Sequence, residues 1–203
     1  RLAYSLEISS SRINSAAENP AEIISSIRRE LDLTVLNLCD AEGRPIAGSH
    51  PATVKRIPLG RDSVLRKALE GKSAWGTVLL DPERLQMEGG PALQEAALIY
   101  NGDKGGEPVS RAGLLWWIAC PILESSGRVK ALLYGGRLLN FNYELVDKLR
   151  DTVFSEMEFK GKPRGTVTIF KNEVRVATNV LTRDGARAIG TKVSETVRRT
   201  VLE

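Results

Sequence analysis

Histidine is nearly absent: the sequence holds one, His50. A His-rich zinc or iron site is thereby excluded, and the two cysteines, Cys39 and Cys120, are too far apart for a zinc knuckle. A Ser-His-Asp triad would have to use His50, which sits in a proline-containing loop, and no Gly-x-Ser-x-Gly elbow supplies a nucleophile. No Gly-x-x-x-x-Gly-Lys-Ser/Thr loop is present to cradle phosphate. The glycine pairs at 89–90, 105–106 and 135–136 lack the strand-to-helix setting of a dinucleotide fingerprint. Carboxylates are scattered, so no catalytic pair stands out by spacing. The expectation is a protein without catalytic residues, cofactor or metal. Apolar runs of the roughly 18 residues that cross a bilayer are also missing, and there is no signal peptide. The chain begins and ends inside helical patterns, and reads as a piece excised from something longer. Each cysteine lies in an apolar, strand-like run. Buried free thiols suit such positions better than a disulfide, and two cysteines do not fix the redox compartment.

What is present suffices for a core. Of the 203 residues 42% are hydrophobic and 27% charged, which argues against disorder. The net charge of +4 is spread over alternating acids and bases, as in Arg28-Arg29-Glu30. With no dense basic block, nucleic acid is not an expected partner.

The periodicity gives an order of elements. Residues 1–18 read as helix, with Leu2, Leu6 and Ile13 on one side. Asn19, Pro20 and Glu22 restart it, and Ile23, Ile27 and Leu31 form one apolar stripe. Strands are predicted over Leu33–Cys39 and Arg44–Gly48, about a turn at Asp40–Gly43. A helix capped by Asp62 ends at Gly71, and Ser73–Leu80 is the next strand. Residues 81–111 read as irregular, with a short helical piece at 91–98 and a long loop. Gly113–Leu123 and Val129–Leu139 form the central hairpin. Asn140 is the predicted cap of a helix carrying Leu145, Leu149 and Val153. A second hairpin follows at Thr166–Phe170 and Val174–Thr178, then a turn at Arg183–Gly185 and a helix from Ser194. The one composition shift, Lys160–Arg164, suggests a boundary. The layout is α+β, an antiparallel sheet with helices packed on it.

Three stretches are distinctive: 132–147 (LLYGGRLLNFNYELVD), 165–180 with GTVTIF and VRVATNV, and 184–194 (DGARAIGTKVS). In this order they resemble Cache sensor regions, the PAS-like extracytoplasmic modules of bacterial histidine kinases and chemoreceptors. The resemblance runs from about residue 30 to the end, in the first half by pattern only. It implies a PAS-like antiparallel sheet with a long N-terminal helix and a second, partial PAS-like Cache unit. The domains would be a signalling and dimerisation helix at 1–31, a sensor domain at 32–160 and a partial unit at 161–203. It also implies a periplasmic or extracellular position in a membrane-anchored inner-membrane receptor, a small-molecule ligand such as an organic acid, and a homodimer contact through the opening helix. The alternative is an interaction or dimerisation module with no small ligand.

In a PAS-like sheet the ligand lies between the concave face and the covering loops and helix. Trp116 and Trp117 are adjacent in one strand and must face opposite sides. Trp117 is the candidate wall residue, and Trp75 follows the same logic on its own strand. Tyr134 offers a hydroxyl, Arg111 a fork for a carboxylate, and His50 a group able to meet an anion. Each has a plainer reading: both tryptophans as core, Arg111 as an ordinary surface cation, His50 as a solvated loop residue.

Overall fold

A computed structural model describes residues 6, 19–50, 54–101, 106–154, 158–159, 162–163, 165–194 and 198. The helix predicted over 1–18, apart from Leu6, and the helix after Ser194, apart from Arg198, lie outside the described residues. So does most of the Lys160–Arg164 shift. The chain forms two compact units, residues 1–96 with 113–138, and residues 97–112 with 139–203. The composition shift at 160–164 falls inside the second.

The first unit is built on a five-stranded antiparallel sheet of β1 (Val35–Asp40), β2 (Pro45–Gly48), β3 (Ala74–Leu80), β4 (Gly113–Leu123) and β5 (Val129–Leu138). The strand order is β2-β1-β5-β4-β3. Helix α1 (Pro20–Glu30) starts where Asn19 Oδ1 accepts the Ala21 N–H at 3.1 Å and Pro20 occupies the first turn. Its apolar stripe, Ile23, Ile24 and Ile27, packs with Leu36, Leu38, Ile118, Cys120 and Leu133 on one face of the sheet. Helix α2 (Ser63–Leu69) is capped by Asp62, whose Oδ1 accepts from Val64 N at 2.8 Å and Leu65 N at 3.1 Å. It buries Val64, Leu65 and Ala68 over the opposite face.

That second face also carries α3 (Pro82–Ala96), where the sequence predicts an irregular stretch with helix only at 91–98. Asp81 caps it, its Oδ1 accepting the Arg84 N–H at 2.8 Å. Gly90, at φ 72° and ψ −164°, breaks the helix in the middle. Only glycine adopts this backbone without strain, and Pro91 then opens the second half. The Gly-Gly-Pro punctuation is therefore a kink between two helical stretches. A second glycine is fixed by approach: at Gly136 a Cβ would run into the backbone carbonyl of Trp116 on the neighbouring strand.

The second unit contains α4 (Tyr143–Phe154), a two-residue ladder of β6 (Glu158–Phe159) with β7 (Lys162–Pro163), and the hairpin β8 (Thr168–Lys171) with β9 (Val174–Thr178). Helix α4 is capped by Asn142, whose Oδ1 accepts from Leu145 N at 3.1 Å, and not by Asn140. Asn140 is buried and its Nδ2 donates to the carbonyls of Ala97 at 2.8 Å and Ala112 at 3.3 Å. Those two acceptors are distant in sequence, so local spacing favoured the wrong asparagine. Arg187 grips Asp147 through its two Nη nitrogens, at 3.1 and 2.7 Å, donates to Thr178 O, and lies 4.5 Å over the Tyr143 ring.

Candidate functional site

Strand alternation and the β4–β5 register place Trp117 opposite Gly136, Ala119 opposite Tyr134, and Asn37 of β1 on Tyr134's other side. Trp117, Tyr134, Asn37 and Cys39 thus share the face under α2 and α3. Trp117 and Tyr134 meet edge to face, 5.8 Å between centroids, and are 1% and 0% exposed. Such a pair is worth about 0.5–1.5 kcal/mol beyond its buried area. The Trp117 Nε1–H has no hydrogen-bond partner among the described residues.

Against this wall α3 presents Glu88, which is fully buried. Its Oε2 accepts from Asn37 Nδ2 at 2.7 Å and from the Tyr134 hydroxyl at 3.0 Å. Its Oε1 lies 2.6 Å from both Nε and Nη2 of Arg84, one helical turn earlier. Asn37 Nδ2 also reaches the Glu88 carbonyl at 3.0 Å, and its Oδ1 accepts from Ser49 N at 2.7 Å and His50 N at 3.2 Å. A buried ion pair persists only when its remaining lone pairs and protons are satisfied. Here the carboxylate takes donors from α3, β1 and β5. The surroundings repel further negative charge. Burial, then the Glu88 carboxylate, holds the Tyr134 phenol well above its ordinary value. Burial, then Glu88 and Asp40, pushes the Cys39 thiol up to about 12. Both cysteines are buried thiols outside any disulfide.

Arg84 also lines a cleft of about 350 Å³, between Pro58–Ser63, β3 and the first half of α3. Exposed Arg61 stands on its wall with Ser63, Val78 and Met87. Three acids share that lining: the carboxylates of Asp62 and Asp81 serve as helix caps, and Glu83 is exposed.

Of the five predicted site residues, the structure brings Trp117 and Tyr134 together and links the His50 backbone N–H to the Tyr134 hydroxyl through Asn37 and Glu88. The side-chain Nε2 of His50 is buried without a partner among the described residues. Trp75 pairs with Ile118, so it lies on the opposite face, 69% exposed, near exposed Trp116 and Leu79. Arg111 is in the second unit, exposed and paired with Glu107 at 2.6 Å. Neither joins the cluster. Sequence reasoning missed Asn37, Arg84 and Glu88. The signal available was the four-residue spacing of Arg84 and Glu88, which pairs charges on a helix; reading 81–111 as irregular hid it.

The arrangement of an antiparallel five-stranded sheet with helices on both faces is α+β and PAS-like. Residues 137–203 match the family model described as single Cache domain 3. The resemblance to Cache sensor regions thus stands on a sequence match to the last third of the chain. Among solved structures, the periplasmic domain of Vibrio cholerae LuxQ is similar at a TM-score of 0.50 and 12% identity, covering 88% of this chain and 70% of that one. That likeness speaks for the fold. The sensor domain of E. coli DcuS is similar at a TM-score of 0.39 and 11% identity, covering 67% and 87%. No curated protein matches. Among the described residues no helix is long and apolar enough to cross a membrane, and no group of His, Cys, Asp or Glu is placed to hold a metal.

Proposed function

We propose that this chain is the extracytoplasmic sensor region of a bacterial transmembrane signal-transduction receptor, a histidine kinase or chemoreceptor, and that its first unit takes a small organic acid. The observation that carries the reading is the cleft beside α2, β3 and α3: it is lined by Arg61 and Arg84, and Arg84 continues inward to the buried Glu88. A carboxylate ligand would meet Arg61 at the wall and compete for Arg84. It would thereby act on the kinked α3 and on the sheet that α1 backs. Differential affinity for two arrangements of these helices is what signalling requires. In this reading residues 1–31 form the dimer contact and transmission helix, 32–160 the sensor domain and 161–203 a partial second Cache unit. The protein sits outside the inner membrane, anchored through its parent chain, and catalyses nothing.

The test is thermal unfolding of the whole chain against a panel of small mono-, di- and tricarboxylates. At least one raises Tm in a saturable way. A flat response across the panel at millimolar concentrations counts against direct sensing. A specific observation favours a second reading, an interaction module without a small ligand: Trp117 and Tyr134 fill the sheet face themselves. A flat panel together with a dimer in sedimentation would support it.

A further inference from the structure

We propose that Asn37, Arg84 and Tyr134 form a carboxylate-binding site inside the first unit, and that the protein fills it with its own Glu88. The donors come from three separate elements and converge on one carboxylate. Arg84 Nε and Nη2 face Oε1 at 2.6 Å; Asn37 Nδ2 and the Tyr134 hydroxyl face Oε2 at 2.7 and 3.0 Å. An ionised carboxylate offers about four lone-pair sites, and three hydrogen bonds from this set fill most of them, with Arg84 Nη2 adding a close charge contact outside hydrogen-bond geometry. Charge-assisted contacts of this length are the strong ones. Asn37 is held in turn by the backbone N–H groups of Ser49 and His50, so it is aimed whether or not Glu88 is present. The Tyr134 ring is fixed by Trp117. The break at Gly90, two residues after Glu88, gives α3 a joint next to the occupied site. Competition between an outside acid and Glu88 rests on the sensing role proposed above. The site itself does not.

A purely structural tether and a binding site differ in one respect: a site without its built-in occupant recognises a free anion of the right shape. Glu88→Ala removes one methylene and a carboxylate, the size of acetate. The experiment is thermal unfolding of the full chain carrying E88A in sodium acetate or formate, against sodium chloride at equal ionic strength. Loss of one partner of a buried pair should lower Tm by about 10 °C in chloride. Acetate or formate should restore at least half of this loss with a saturating dependence, while wild type responds to the three salts alike. The double variant R84A/E88A should show no such rescue. If E88A does not fold in chloride, folding in acetate alone supports the site. Folding in neither salt, or an equal response to acetate and chloride, overturns it, as does rescue that survives R84A. Failure of the ligand panel on wild type with rescue of E88A would remove the sensor reading and leave the site. A panel hit without rescue would do the reverse.

Discussion

Two buried side chains of the first unit, Cys39 and Tyr134, shape the response to high pH. The Cys39 thiol ionises near 9.0 when unfolded and is pushed up to about 12 in the fold, by burial first and the neighbouring carboxylates second. A group raised in this way leaves stability intact below its unfolded value. Stability then falls as pH climbs from there through the folded value, by at most about 1.4 kcal/mol per pH unit. Tyr134 acts in the same direction above 10.0. Melts from about pH 8 to about pH 11 should show a falling Tm, and Cys39→Ala should make the fall shallower. An unchanged slope would mean that the thiol is solvated. The two asparagines before α4 separate by role. Asn142→Ala should cost about 1 kcal/mol and speed amide exchange in the first turn of α4. Asn140→Ala should leave that turn protected and speed exchange around Ala97 and Ala112, since it frees their carbonyls.

Elements follow from such residues to differing degrees. The central hairpin, α1 with its Asn19-Pro20 start and α2 with its Asp62 cap were legible because caps and periodicity are local signals. The opposite facing of Trp116 and Trp117 followed from alternation alone; which of them is buried depends on the coverage of α2 and α3. Helix α3 was not legible. Gly89-Gly90-Pro91 reads as a loop, yet Asp81 and Pro82 start a helix before it and Pro91 restarts one after it. Glu88 and Arg84 were hidden with it, since both sit on that helix. The facing of Trp75 away from Trp117 was not legible, because a tryptophan on an edge strand carries no mark of which face a helix will cover. Gly90→Ala should cost about 1–3 kcal/mol, because a Cβ cannot adopt φ 72° with ψ −164° without strain. Hydrogen exchange should then rise across 82–96 more than in β4 and β5. Equal protection before and after would show that the kink is incidental. In the second unit Arg187→Ala removes the contacts to Asp147, Thr178 O and the Tyr143 ring together. About 1–2 kcal/mol of local stability should go, read as faster exchange in α4 and β9.

At the scale of the molecule, the two units alternate along the sequence: 97–112 falls between α3 and β4 in the chain yet belongs with the C-terminal residues. No pattern within a short window reveals such an exchange. The fold class survives this because it depends on the hairpins. The Cache match confined to 137–203 leaves the first unit to be understood by its own chemistry. That chemistry is a cleft carrying Arg61 and Arg84 among Asp62, Asp81 and Glu83, joined through Arg84 to a sealed carboxylate. Calorimetric titration of the wild-type chain with the carboxylate panel, repeated with Arg61→Ala, tests it most directly. The account predicts saturable heat for at least one acid, and an affinity about ten-fold weaker when Arg61 is lost. No heat for any acid, or binding indifferent to Arg61, would contradict it.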